Sequence, residues 1–256
     1  MSQGINSRRR RFVLAAIGLA ALPTLAAFHT VPASAQPAGS GLFVLLVDVI
    51  DPSRFEELLP AHSAWLHEKF EQGVFITSGG LGDKRALAMF HAPSQAEAEA
   101  LMADEPLYSN GVAKHEVLQF TPRFINAAFA PVASFASAAE TTVFEQPLPA
   151  EALFALLVDI VDPVKFEELL PVHVPWLQQE YEQGVFVGSG SLGDKRALAL
   201  FKAASLADAE ALMADEPLNA GGAVVHQVLQ FTPRFHSPAL ESVVIGGQST
   251  ELAPLP

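Results

Sequence analysis

Two histidines sit in matching settings 111 residues apart: His62 within FEELLPAHSAWL (residues 55–66) and His173 within FEELLPVHVPWL (residues 166–177). Wound as a helix, the first segment puts Leu58, Leu59, His62, Trp65 and Leu66 on one apolar face. Imidazole changes charge near neutral pH, so it can act as a general acid or base. Withdrawn from water, its two nitrogens need partners. His62 and His173 are therefore either hydrogen-bonded core residues or the lining of a pocket. Positions 61, 63, 64, 67, 68 and 69 all differ from their counterparts, while the histidine, the tryptophan and the following leucine are the same.

Other groups with chemical potential are fewer. Asp104-Glu105 and Asp215-Glu216 pair acids at the end of a helix, where negative charge opposes the dipole; a pocket lip or a solvated surface would account for them. His115 and His226 lie on alternating strand segments and could face the barrel, but a metal site needs convergent ligands, which the sequence does not place. No metal or cofactor is expected. With no cysteine, disulfides and thiolate metal sites are excluded. No phosphate loop, nucleophile elbow or dinucleotide fingerprint is present.

The elements that must position these residues follow from the pattern. Leu42 to Val47 is apolar at both parities, as expected of a strand buried on both faces. Asp51-Pro52 reads as an N-cap and a first-turn proline, opening a helix over about residues 53–72 that should break or kink at Pro60 and stop at Gly73. Strands are expected at 74–78, 85–90 and 115–120, with a turn at 79–83 and a second helix at 95–103. The order is βαββαβ, the split β-α-β pattern of a ferredoxin-like fold. Residues 153–235 repeat it without a gap, and about two thirds of the paired positions are identical, which points to duplication.

The predicted domains are a signal peptide (1–35), repeat 1 (41–124), a linker rich in Ala, Ser and Pro (125–151), repeat 2 (152–235) and a tail (236–256), in which Val243-Val244-Ile245 could form a short strand. Two helices cover only one face of a four-stranded sheet, yet both first strands are apolar on both faces. Each repeat is therefore expected to cover the other. The fold class predicted is α+β: two ferredoxin-like βαββαβ repeats forming an intramolecular dimeric α+β barrel, hence a monomer with an internal pseudo-dimer.

The N-terminus predicts export. Arg8 to Arg11 precede an apolar run from Phe12 to Phe28, then an Ala-Ser-Ala cleavage signal ending at Ala35. Arg9-Arg10-Arg11-Phe12 resembles the twin-arginine motif, although Arg8 and Val13 depart from it, so both export routes stay open. Cleavage would remove four of the fifteen Lys and Arg residues and none of the 28 acids, taking the formal net charge from −13 to −17. The mature chain is then expected to be periplasmic or secreted, with no membrane anchor. So acidic a surface disfavours nucleic acid and anionic lipid as partners.

Each repeat, almost end to end, resembles the YCII-related domain family. The resemblance rests on a hydrophobic first strand ending in Asp, P-x-H-x-x-W-L on the first helix, a G-x-F strand ending in Ser-Gly, an E-P pair after the second helix, and a closing F-T-P-R. It implies a dimeric α+β barrel and, by kinship with dehydrochlorinase-type enzymes and muconolactone isomerases, a cofactor-free lyase or isomerase. It also implies Asp–His pairs, Asp48 with His62 and Asp159 with His173, as catalytic groups lining the barrel interior. Ser78, Ser189, Trp65 and Trp176 would line the ligand pocket. One departure is Leu59 and Leu170, where many members carry arginine; Lys84, Arg85, Lys195 and Arg196 are the alternative cations, or simply turn charges. An Asp that fixes the tautomer leaves the other imidazole nitrogen free for proton transfer, suited to a small aromatic or lactone substrate. The competing expectation is a non-catalytic exported barrel that binds a small ligand or serves a structural role.

Overall fold

The computed structural model describes residues 41–133, 141–237 and 240–244. The signal peptide, the middle of the linker and most of the tail lie outside the described residues. Repeat 1 runs β1 (Gly41–Val49), α1 (Pro52–Glu71), β2 (Phe75–Leu81), β3 (Arg85–Ala92), α2 (Gln95–Ala103), α3 (Pro106–Ser109) and β4 (Ala113–Asn126). A 3-10 turn (Ala127–Phe129), α4 (Ala130–Ala133) and β5 (Thr142–Phe144) follow. Repeat 2 runs β6 (Ala152–Ile160), α5 (Pro163–Glu182), β7 (Phe186–Leu192), β8 (Arg196–Ala203), α6 (Leu206–Ala214), α7 (Pro217–Ala220) and β9 (Val224–His236). Within the tail, Glu241–Val244 forms α8 in place of the expected strand.

Asp51 and Asp162 cap α1 and α5 with their side chains, and proline occupies the first turn of each, as the sequence predicts. The expected break at Pro60 does not occur: α1 is helical through it, and α5 is helical through both Pro171 and Pro175. Burial of one face against the sheet outweighs the backbone bond each ring removes. Among the described residues no helix is long and apolar enough to cross a membrane.

The strands close into an eight-stranded antiparallel barrel in the order β1-β3-β2-β9-β6-β8-β7-β4, with β4 returning to β1; β5 adds in parallel to the end of β4. The β4 and β9 strands are long enough to serve both halves. Leu42 to Phe120 pairing joins β4 to β1, and from Phe120 onward the same strand pairs with β7. In the same way β9 pairs with β6 as far as Gln230 and then with β2.

Strand parity separates the layers. Leu42, Val44 and Leu46 join Leu153, Ala155 and Leu157 in one interior cluster drawn from both repeats. Their neighbours Phe43, Leu45 and Val47 face outward under α1 and α2, and Phe154, Leu156 and Val158 do the same under α5 and α6. This accounts for first strands that are apolar at both parities: one parity fills the barrel, the other seats the helices. Each of the buried leucine, valine and phenylalanine side chains contributes about 1.5–3 kcal/mol.

Two glycines set the seams between repeats. A Cβ on Gly79 would collide with the Thr232 carbonyl, and one on Gly190 with the Thr121 carbonyl. Both lie where the ladder shifts register, between Ser78 and Gly79 against β9, and opposite the Pro122–Phe124 irregularity of β4.

Candidate active site

The sequence placed the histidines on the correct helix face but assigned them the wrong partner and the wrong layer. His62 Nδ1 lies 2.6 Å from Glu105 Oε1, and His173 Nδ1 lies 2.6 Å from Glu216 Oε1. Asp48 instead pairs with Arg85 Nε at 2.8 Å and Asp159 with Arg196 Nε at 3.0 Å, with both carboxylates more than half exposed. The physical reason is position. Asp48 and Asp159 face Arg85 and Arg196 directly across the ladder, and ion pairs form there in contact with water. The histidines project from helices packed on the outside of the barrel, so they do not line its interior, which is filled by aliphatic and aromatic side chains.

Arg85 and Arg196 are thereby accounted for as well. Arg85 Nη1 donates to Gln227 at 2.7 Å, and Arg196 Nη1 to Glu116 at 2.7 Å, each reaching the other repeat.

Glu105, which the sequence offered only as a pocket lip or a solvated surface, is the partner of His62. It is buried, with its side chain 2% exposed, at the N-cap of α3. Oε1 accepts from the Leu107 backbone N–H at 2.9 Å and Oε2 from that of Tyr108 at 2.9 Å. His115 Nε2 lies 3.1 Å from Oε2, off the line of a well-directed hydrogen bond, and its buried Nδ1 has no partner among the described residues. One carboxylate therefore faces two imidazoles and two helix-end amides. Glu216 repeats the arrangement with His173, His226 at 3.1 Å and the amides of Leu218 and Asn219. The signal was present in the sequence. Glu-Pro directly before Leu107 is a cap followed by a first-turn proline, so the acid belongs to the start of α3 and not to the end of α2, where the dipole would oppose it.

Burial by itself pushes the Glu105 carboxyl up. The nearby His115 imidazole, the hydrogen bonds from His62 and the Leu107 amide, and the charge of His62 outweigh it and hold the group well below the usual carboxylate range. Glu216 is held low by the same balance, with His173 and then His226 as the leading counterweights. An ionised carboxylate only accepts, so a neutral His62 must carry its proton on Nδ1. Nε2 is then a bare lone pair with no partner among the described residues, on a ring about one-fifth exposed. That is the electronic arrangement of an oriented general base.

His115 and His226 do not face the barrel interior either. They share strand parity with Val117 and Val228, which pack in the outer layers, while Leu118 and Leu229 pack inward. Among the described residues no group of three or more His, Asp or Glu side chains is arranged to hold a metal ion.

The remaining expected pocket residues have structural surroundings. Trp65 meets Phe75 edge-on at 5.6 Å, with the Lys69 ammonium 5.8 Å from its ring centre. Trp176 stacks beside His173 at 6.3 Å and meets Phe186 edge-on. Ser78 and Ser189 are buried at the seams, opposite Phe235 and Phe124. Ser189 shares a 3.0 Å hydrogen bond with the Tyr181 hydroxyl, which donates to the Phe124 carbonyl at 2.7 Å. In repeat 1 the tyrosine is Phe70, and the equivalent carbonyl, that of Phe235, accepts from Thr77 at 3.1 Å instead. Repeat 2 has Gly188 at that position, where a Cβ would press on the Phe129 ring. The two seams satisfy the same buried carbonyl from different elements.

Comparison with known proteins supplies a family for repeat 1. The model of the YCII-related domain matches residues 42–121. No curated protein matches the chain. Among solved structures, the chain is similar to chlorite dismutase from Candidatus Nitrospira defluvii in complex with imidazole, at 13% identity and a TM-score of 0.45, over 80% of this chain and 96% of that one. It is similar to a heme-binding protein from Thermus thermophilus at 13% identity and TM-score 0.41, over 75% and 91%. It is also similar to an anthrone oxidase-like protein at 14% identity and TM-score 0.44, again over 75% and 91%. The family match thus spans β1 to the middle of β4 and takes in the whole His62–Glu105–His115 cluster.

Proposed function

We propose that the chain is an exported YCII-like protein whose two repeats are ferredoxin-like units joined into an intramolecular version of a dimeric α+β barrel. Each outer layer carries a general acid–base site. His62 and His173 are its proton-transfer groups, oriented by Glu105 and Glu216 in the place the sequence reading had given to Asp48 and Asp159. The observation that carries this is the buried carboxylate that binds Nδ1 of a partly exposed histidine, leaves Nε2 without a partner among the described residues, and does so in both repeats. An oriented, cofactor-free base suits abstraction of a proton next to a carbonyl, followed by isomerisation or elimination of HCl. The substrate is then a small aromatic or lactone compound, and the reaction is of the dehydrochlorinase or muconolactone-isomerase kind.

A second reading rests on the α3 cap. Glu105 also binds the Leu107 and Tyr108 amides, so the cluster would hold α3 in place even with no chemistry. The two readings separate in one experiment. The mature chain and its His62→Gln, His173→Gln and double variants are incubated with a panel of lactones and chlorinated aromatics in deuterium oxide. Exchange and turnover are then read by NMR. The catalytic reading predicts activity that falls by about 10²–10⁴ in the double variant with folding intact. An inactive wild type, or activity that survives both substitutions, overturns it and leaves the binding or structural role.

A further inference from the structure

We infer that repeat 2 holds an open subsite for one neutral phenol-class ring, seated against His226, at the place repeat 1 fills with its own Tyr108. In repeat 1 the Tyr108 ring stacks on His115 with centroids 4.7 Å apart and planes 17° from parallel. The equivalent of Tyr108 in repeat 2 is Asn219. A cavity of about 250 Å³ lies there, lined by Glu210, Met213, Ala214, Asn219, His226 and Val228. Every one of these except Asn219 has the same residue type at the matching position of repeat 1, namely Glu99, Met102, Ala103, His115 and Val117. One substitution therefore distinguishes a repeat in which a tyrosine ring lies on the imidazole from one in which the imidazole lines an open cavity.

The lining specifies the occupant. The Tyr108–His115 stack shows which shape and orientation the imidazole face accepts. Met213 is a soft, polarisable wall suited to an aromatic ring. The polar groups of the cavity are mainly acceptors. Glu210 is a carboxylate, Asn219 offers an amide oxygen, and the buried His226 Nδ1 has no partner among the described residues. With His226 Nε2 facing the Glu216 carboxylate, the proton belongs on Nε2 and Nδ1 is a lone pair. A ring stacked as Tyr108 is leaves the in-plane Nδ1 untouched, as at His115, so a ring hydroxyl has the Glu210 carboxylate and the Asn219 amide oxygen as its acceptors. A benzoate-like anion would meet the Glu210 charge and the acidic surface around it. The inference does not depend on acid–base chemistry at His173, since a ring can occupy the cavity with no reaction following.

The probe is p-cresol, the tyrosine side chain as a free molecule, titrated by calorimetry and protein-observed NMR against the full mature chain. The variants Asn219→Tyr and Tyr108→Asn each install the residue the other repeat already tolerates. Their folding is checked by thermal melts. The wild type should bind one p-cresol saturably, with a Kd on the order of 1 mM for so small a ligand. Asn219→Tyr should weaken this at least about tenfold, Tyr108→Asn should raise the stoichiometry toward two, and benzoate should bind at least about tenfold more weakly than p-cresol. Binding of p-cresol, which undergoes no turnover, is read independently of any catalysis, which separates this result from the proposed reaction. The absence of saturable binding, a titration of Asn219→Tyr that matches the wild type, or a stoichiometry that stays at one in Tyr108→Asn would overturn the proposal.

Discussion

At the residue scale the organising group is a carboxylate, not a histidine. Glu105 and Glu216 are buried and ionised, and each is sustained by two amides and two imidazoles. Because their folded pKa lies below the ordinary value of 4.5, each contributes stability that is fully present above that value and lost as pH falls through the folded one. Unfolding free energy measured by urea titration should therefore drop as pH is lowered below about 4.5. Glu105→Gln and Glu216→Gln should each cost on the order of 3 kcal/mol near neutrality and flatten the acid slope. An acid slope identical to that of the wild type in the double variant would show that these groups are not held low. The sequence displayed both glutamates, but not their burial: two adjacent acids look like surface, and only the return of β4 past the N-terminus of α3 brings His115 against one of them.

At the element scale the seams decide the fold. Long strands β4 and β9 each change partner midway, and the change requires Gly79 and Gly190, whose missing side chains let the neighbouring strand's carbonyls approach. The Ser-Gly pair read from sequence as part of a pocket is instead a seam motif. Gly79→Ala or Gly190→Ala should destabilise the chain by about 2 kcal/mol or more, because the obstacle is backbone and cannot move aside. An alanine at Gly80, where a Cβ meets nothing within 4 Å, is the control. Melting temperatures of Gly79→Ala and Gly80→Ala that agree within error would contradict the close-approach argument. Strand and helix existence, and the bounds of α2, were legible from periodicity and caps. The extension of β2 through Gly79 and Gly80 was not, since a glycine pair reads as a turn until the strand that crowds it is known.

At the scale of the whole molecule, the barrel was the most legible feature. First strands that are apolar at both parities cannot be served by one helical layer, and the duplicate supplies the second. Which face carries the histidines was not legible, because helix phase gives the face but not which side of the sheet the helix covers. The closed pairing of β2 with β9 and of β4 with β7 leaves no open edge between the halves. Residues 36–256 are accordingly expected to be a monomer by light scattering, while residues 36–130 alone should self-associate to cover the same edges. A stable monomeric half would contradict this account of the barrel.

The measurement that bears most directly on the site is the tautomer of its four imidazoles. Long-range ¹H–¹⁵N NMR at about pH 9, where histidines are neutral, reports which ring nitrogen carries the proton. The Glu105 and Glu216 carboxylates predict the Nδ1–H form for His62 and His173, with Nε2 bare, and the Nε2–H form for His115 and His226. Loss of the Nδ1–H preference is expected in Glu105→Gln at His62 only, with His173 unaffected. An Nε2–H tautomer, or rapid exchange between the two forms, at His62 and His173 in the wild type would contradict an oriented base.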